Sequence, residues 1–359
     1  MFNRKIRRVV WTTVAWMAVA VLIALYDHLA YLSFQGTAPY GLGLALLTGV
    51  VGALIGGGLG AALTVFYLQP RGRGHSFLRA VVTHTLTYIA LISVMIVVLT
   101  FLFQAQLVGA SILSGQVISA SSMYLSGAGP AKFMMIWVIV AGATSVSHAV
   151  SDHFGPGLFK SFVLGRYRTP KVEERTFMFL DLVGSTTIAE RLGHVRYFEL
   201  LQTLFGDITE PLVDHGAQIY QYVGDEVVVT WLGEAAFHNS ACVSCYFAVE
   251  RMLEECAGEY EVRFDVRPRF RAGVHTGLVT TGEVGRLRTD IVHSGDVLNT
   301  AARIQGQAKK ADAPILISGA VATRIDPSQW RTESLGELAL KGKAELVEVH
   351  RVHSRGSAT

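Results

Sequence analysis

Phe177-Met178-Phe179-Leu180-Asp181-Leu182-Val183-Gly184-Ser185-Thr186 passes from an apolar run, through a carboxylate, into a glycine and two hydroxyls. Thr176–Leu180 reads as a buried strand. Ser185–Leu192 and His194–Leu204 read as helices. A carboxylate at a strand end, followed by a glycine turn into a helix N-terminus, suits a cation paired with a phosphate. The first amides and the helix dipole face the anion, and Asp181 faces the cation. An aspartate at one turn is ordinary by itself, so the reading needs a second group.

That group lies downstream. Gly216–Val223 and Val227–Trp231 flank Gly224-Asp225, the signature of a tight hairpin. If the hairpin lies beside the first strand, Asp181 and Asp225 reach one point. Two carboxylates completed by waters and phosphate oxygens suit Mg²⁺ or Mn²⁺. A third cluster is Gly295-Asp296-Val297-Leu298-Asn299-Thr300-Ala301-Ala302-Arg303. Asn299 and Arg303 are four apart on an expected helix (Val297–Gln307), so they share a face. Further strands are expected at Phe264–Val274, Leu278–Val284, Ile315–Ser318 and Glu345–Val352, and a helix at Asn239–Glu255. Strands interleaved with helices, hairpins included, predict an α+β domain with a mixed or antiparallel sheet and flanking helices.

The N-terminal part is of another kind. Of 359 residues, 51 % are hydrophobic and 16 % charged, against about 25 % charged in an ordinary soluble domain. Residues 1–170 hold 11 Lys/Arg and 2 Asp/Glu, and residues 171–359 hold 20 and 26. The net charge of +3 averages these unlike halves, and no basic arm for nucleic acid is present. Val9–Ala30, Gly41–Leu68, Leu78–Phe103 and Ala131–Val150 each meet the length of a membrane span, about 20 apolar residues. Residues 105–128 read as a partly ordered outer loop, with re-entry into the membrane left open. Basic residues cluster before span one, between spans two and three, and after span four. The positive-inside rule then puts both termini in the cytoplasm of a multi-pass inner (plasma) membrane protein in contact with lipid. The expected layout is a four-helix transmembrane domain over 1–150, a junction helix over 151–175 and a catalytic domain over 176–359. Gly52, Gly56 and Gly60 mark a close-packing helix face, within the chain or between chains. His84 and His148 read as interfacial histidines, with ligation of a haem or metal the less favoured alternative. Cys242, Cys245 and Cys256 read as reduced structural thiols.

FMFLDLVGSTT (177–187), QYVGDEVVVTW (221–231), RAGVHTGLVTTGEVG (271–285), GDVLNTAARIQ (295–305) and LALKGKAELVEV (338–349) resemble, in order and spacing, the motifs of class III nucleotidyl cyclases, here of the membrane-anchored bacterial type. The resemblance implies two metal ions per site, Mg²⁺ or Mn²⁺, on Asp181 and Asp225 with the Leu182 carbonyl. It places Val183, Gly184, Ser185 and Thr186 on the phosphates and Lys341 on the terminal phosphate. Asn299 would orient the ribose, and Arg303 would stabilise the transferring phosphorus. Because the family's sites form between two catalytic domains, and both residue sets are present, a homodimer is implied. The implied activity is adenylate cyclase, ATP to 3′,5′-cyclic AMP and pyrophosphate, regulated through the membrane half. Guanylate cyclase is one alternative, and a catalytically silent nucleotide-binding membrane receptor is another. Gln221 and Val292 occupy the base-selecting positions and match neither the adenine nor the guanine pattern. Asp290 and Ser294 lie near enough to substitute as base contacts if the loop, one residue short, shifts.

Overall fold

The computed structural model describes residues 2–36, 41–69, 76–154, 165–286, 289–338 and 346–354. They form two units, Met1–Phe154 and Gly155–Thr359. The expected junction helix falls largely on residues 155–164, outside the described residues, as do Arg71, Arg73 and Lys341.

The first unit contains α1 (Phe2–Gln35), α2 (Leu42–Ala62) continuing into a π-helical turn (Leu63–Leu68), α3 (Phe77–Val108), α4 (Gly115–Leu125) and α5 (Ala128–Phe154). Four helical stretches are long and apolar enough to cross a membrane: Lys5–Phe34, Leu42–Leu68, Phe77–Val108 and Ala128–Ser151. The first, third and fourth outrun their expected spans, because a helix continues past the apolar window that defines it, and the second matches to within a residue. Residues 105–128 are more ordered than expected. Ser114 caps α4 by accepting a hydrogen bond from the Val117 amide.

The glycine face of α2 is used inside the chain. A Cβ on Gly56 would come 2.9 Å from Met95 Sδ, and one on Gly60 would come 2.2 Å from the Tyr88 ring. These glycines therefore let α3 approach α2 closely, which accounts for the spacing without a second chain. Across the bundle Trp16 stacks on Trp137 at 5.1 Å and lies against Tyr88 at 4.9 Å. His84 and His148 are both buried, and Thr12 Oγ1 lies 3.0 Å from His148 Nε2, joining α1 to α5. Asp27 pairs with Lys132 and ties the same two helices again at the other end.

The second unit has one sheet of eight strands: β1 (Lys171–Leu182), β2 (Gln218–Val223), β3 (Glu226–Leu232), β4 (Phe270–Val284), β5 (Asp290–Ser294), β6 (Ile315–Ser318), β7 (Trp330–Leu338) and β8 (Val347–Ser354). The order is β2-β3-β1-β4-β6-β8-β7, with β5 on β4. Among the described residues only β4 and β6 pair in parallel. The α+β fold with a mostly antiparallel sheet is as expected. Helices α6 (Ser185–Asp214), α7 (Ala241–Glu255), α8 (Ala257–Phe264), α9 (Asp296–Lys310) and α10 (Gly319–Ala322) complete the unit.

Side chains alternate across β1. Met178, Leu180 and Leu182 enter the large core with Leu200, Leu204 and Ile208 of α6 and Val243, Tyr246 and Val249 of α7. Phe177 and Phe179 point the other way and pack with Val297 and Ala301 of α9. Asp181 shares that second face, so the sheet has a structural side and a side that carries the carboxylate. Cys242 and Cys245 are free and buried on α7, and burial pushes the Cys242 thiol up to about 12. They are packing residues.

Several expected boundaries are corrected. Phe264 ends α8 instead of opening a strand, and β4 is one strand of 15 residues, Phe270–Val284, where two strands, Phe264–Val274 and Leu278–Val284, are expected. Two glycines of β4 are landing points for α9. A Cβ on Gly273 would lie 2.2 Å from the Gln305 amide nitrogen, and one on Gly277 would lie 2.8 Å from Val297. The second helix after Asp181 runs on to Asp214, held by buried Leu204, Ile208 and Leu212. Strands β5 and β7 were not anticipated.

Candidate active site

Asp181 is the penultimate residue of β1, directly opposite Glu226 of β3. Gly184 follows with φ +73°, a left-handed conformation that turns the chain into α6. Gly224 has φ +62° at the first central position of the β2–β3 hairpin, where two-residue hairpin turns favour glycine. The next residue is Asp225. These two glycine turns bring the carboxylates together from strands that are not adjacent in sequence.

The electrostatics show how close they are. Burial raises the Asp181 carboxyl above its ordinary value, and the Asp225 charge and a shared hydrogen bond raise it further. Gln305 and Lys309 of α9 act in the opposite direction. Glu226 is pushed up to about 7 by burial and then by both aspartates. Three acids thus crowd one half-buried corner and repel one another. Among the described residues no cluster of three or more His, Cys, Asp or Glu is built to hold a metal alone. Two half-buried aspartates nevertheless fit Mg²⁺ or Mn²⁺, which keep water and phosphate ligands rather than sit in all-protein cages.

The anion side lies next to them. Ile188 donates to the Gly184 carbonyl, the first bond of α6. The amides of Gly184, Ser185 and Thr186 precede it and have no intrahelical acceptor. Val183 differs from expectation, because its amide already donates to the Arg269 carbonyl at 2.9 Å. That bond closes the loop onto the start of β4. Sequence reasoning also missed Tyr197. Gly193 breaks α6 (φ 73°, ψ 165°), and the helix beyond it brings Tyr197 back to Ser185 and both aspartates. The Gly193 punctuation was legible, but the residue it would return to the site was not.

Asn299 is exposed near the start of α9, and Arg303 follows one turn later. Arg303 Nη1 is shut away from solvent with no hydrogen-bond partner among the described residues. At 100° per residue, Gln305 lies about 200° round the helix from Arg303. The α9 face that meets Asp181 is therefore not the face carrying Asn299 and Arg303. Gln221 is exposed on the edge strand β2, and Val292 pairs with Gly282 of β4.

Placement of α9 depends on bare backbone at Gly273. A methyl there would meet the Gln305 nitrogen at 2.2 Å and the Ala301 oxygen at 2.6 Å, and neither is a flexible side-chain end. Gly273→Ala should lift α9 from the sheet, costing about 1–3 kcal/mol as overpacking. Turnover should fall at least about a hundredfold, since a displacement near 1 Å has that effect on aligned groups. Denaturant melts and steady-state assays on the same preparation check both numbers, and unchanged turnover would mean that α9 need not sit where it does.

Known proteins resemble the second unit in sequence and in fold. The family described as adenylate and guanylate cyclase catalytic domain matches residues 167–353. Adenylate cyclase 2 of Rhizobium meliloti (strain 1021) is 37 % identical over 201 residues, covering 56 % of this chain and 55 % of that protein. Adenylate cyclase 1 of the same strain is 32 % identical over 186 residues, covering 50 % and 27 %. The chain thus spans about half the length of the first relative and about a quarter of the second. A bacterial light-regulated adenylyl cyclase structure superposes with a TM-score of 0.52 at 19 % identity, covering 62 % of this chain and 65 % of that one, a likeness of fold. With five motifs in order, the catalytic-domain fold and a family match over more than half its length, the chain belongs to the class III nucleotidyl cyclases.

Proposed function

We propose that this protein is a membrane-anchored adenylate cyclase working as a homodimer. The observation that carries the reading is the meeting of Asp181 and Asp225 beside the free first-turn amides of α6. The bound metal ions would lower the pKa of the ribose 3′-hydroxyl and neutralise the triphosphate. Asp181, Asp225 and the Leu182 carbonyl would hold them. The amides of Gly184, Ser185 and Thr186 bind phosphate oxygens. Asn299 of the other subunit orients the ribose, and its Arg303 meets the charge that builds on the α-phosphate. Lys341, outside the described residues, is assigned to the terminal phosphate. The 3′-oxygen forms its bond to the α-phosphorus as the bond to the β-phosphate oxygen breaks, releasing pyrophosphate. The four apolar helices support a multi-pass membrane protein, and the basic residues flanking them favour the plasma membrane with the catalytic domain on the cytoplasmic side.

ATP is favoured over GTP because the two Rhizobium relatives are adenylate cyclases. Assaying the full-length protein with Mn²⁺ and each nucleotide tests the reading. Cyclic AMP and pyrophosphate in equal amounts support it, and cyclic GMP alone would make it a guanylate cyclase. Binding without turnover would leave a nucleotide receptor.

Base selection is assigned to Gln221, exposed on β2. Gln221→Lys should raise the ATP:GTP ratio of kcat/KM about tenfold, and Gln221→Glu should lower it by a similar factor, the scale of one charged hydrogen bond. Equal ratios in both variants would move the assignment to Asp290.

A further inference from the structure

The two base-selecting positions sit on strands with no ladder contact between them. Gln221 is on β2 and Val292 on β5, and β3, β1 and β4 intervene in the sheet. No backbone pairing therefore fixes the gap that a purine would enter. What spans it is a pair of side chains, each adjacent in sequence to a base-selecting residue.

Tyr220 precedes Gln221, and it is the residue skipped in the pairing of β2 with β3. Ile219 pairs with Val229 and Gln221 with Val228, a register shift that leaves Tyr220 over. Such a bulge re-aims side chains. Here Tyr220 turns inward over the sheet while Gln221 is exposed. The Tyr220 phenol oxygen accepts a hydrogen bond from the His293 backbone amide at 3.4 Å. The two rings lie 4.8 Å apart. Phe177 of β1 sits beneath both, with its ring edge-on to Tyr220 at 6.2 Å and to His293 at 5.4 Å. The pair thus arches over Phe177 and joins β2 to β5 across the face that also carries Asp181.

His293 is itself held. The single Thr281 hydroxyl hydrogen goes to Glu173 Oε1 at 2.8 Å. The 2.8 Å contact between His293 Nδ1 and Thr281 Oγ1 then needs the hydrogen on Nδ1. This fixes the neutral tautomer, and burial with the Arg175 charge agrees by lowering the imidazole to about 4. Glu173 accepts from Arg175 Nε at 2.7 Å, and Arg175 reaches Gln218 of β2 at 3.2 Å and the Tyr167 hydroxyl at 3.0 Å. Burial works against the Glu173 carboxylate, yet bonds from Arg175, Thr281 and Tyr167 hold it below the usual range. Both ends of the arch are therefore anchored to one buried network.

We propose that Tyr220 and His293 act as positioning residues for purine discrimination, a clasp that sets the distance between Gln221 and Val292. The inference rests on the cyclase reading and on those two positions facing the base. Neither clasp side chain touches the nucleotide. Loosening the clasp widens a gap that discriminates by fit, so both nucleotides are then accepted more nearly alike.

The test uses the full-length protein with ATP and GTP as substrates, and with their methylanthraniloyl ribose derivatives as binding probes. Tyr220→Phe keeps the ring and deletes only the acceptor. His293→Ala removes the other half. In each variant the ratio of kcat/KM for the two nucleotides should move toward one by about fivefold, the scale of one hydrogen bond. The change should fall mainly in KM, and Tyr220→Phe should keep the wild-type melting temperature. An equal loss on both nucleotides would mark a merely structural role and overturn the proposal, as would an unchanged ratio in Tyr220→Phe. A wild type that shows no preference would overturn it too. If the wild type neither turns over nor binds either nucleotide, the cyclase reading itself falls. If it discriminates and both variants discriminate equally well, only the clasp falls.

Discussion

Asp225→Asn should lower cyclic-nucleotide formation by about a thousandfold or more while leaving the fold as stable as before, or more so. Loss of the carboxylate removes one of the two charged anchors for the metals, whose charge stabilisation amounts to several kcal/mol, and each 1.36 kcal/mol is tenfold in rate. The turn should survive, because its strained position is Gly224 and the substitution is isosteric. Stability should move the other way from activity. The folded-state pKa of Asp181 is raised, by burial first and then by the Asp225 charge. A carboxyl raised in the fold costs stability when it ionises at neutral pH, so deleting the neighbouring charge reduces that cost. Thermal melts without metal should therefore show no loss in Asp225→Asn. Millimolar Mn²⁺ should raise the wild-type melting temperature by ligand linkage and leave the variant unmoved. Full activity in the variant, or an equal Mn²⁺ shift, would remove Asp225 from the metal site.

The parts of this site that could be read from sequence are those set by local rules. Asp181 ends an apolar run and precedes a glycine, and Asp225 follows a glycine between two alternating segments, so both positions are dictated within about ten residues. Gln305, Tyr197 and Glu226 could not be read that way. Gln305 reaches Asp181 only because α9 rests on the bare backbone of Gly273. Tyr197 returns because α6 breaks at Gly193. Glu226 is brought to Asp181 by cross-strand register. The same division explains the fold. Ile315–Ser318 was placed to the residue, being a short apolar run with every side chain buried. β7, WRTESLGEL, has polar residues on much of its length and Gly336 at φ +85°, so its sequence carries no strand period. β4 reads as two strands in sequence, and glycine in a strand ordinarily weakens it. Here glycine is what makes room for the helix that carries Asn299 and Arg303. In the membrane unit the spacing of Gly52, Gly56 and Gly60 announced close contact but could not name the partner, which is α3 of the same chain.

Mixing two dead proteins should restore activity. Asp181→Ala lacks a metal anchor, and Arg303→Ala lacks the cation for the transferring phosphate, so each homodimer has two broken sites. In a mixed dimer one site inherits both defects and the other inherits neither. Random reassortment of equal amounts makes about half the dimers mixed, each with one intact site. The recovered activity should approach about a quarter of wild type, against losses of about a thousandfold in either parent. The geometry of one chain motivates the experiment. Helix α9 turns Gln305 toward Asp181, while Asn299 and Arg303 lie together on another face of the helix. Arg303 Nη1 is buried without a hydrogen-bond partner among the described residues, and a guanidinium donor left in that state costs free energy until an acceptor arrives. A nucleotide held on the partner's aspartates would supply it. Co-expression with two affinity tags isolates the mixed species. Verified mixed dimers that stay as inactive as the parents would mean that each chain completes its own site, and the assignment of Arg303 across the interface would be wrong.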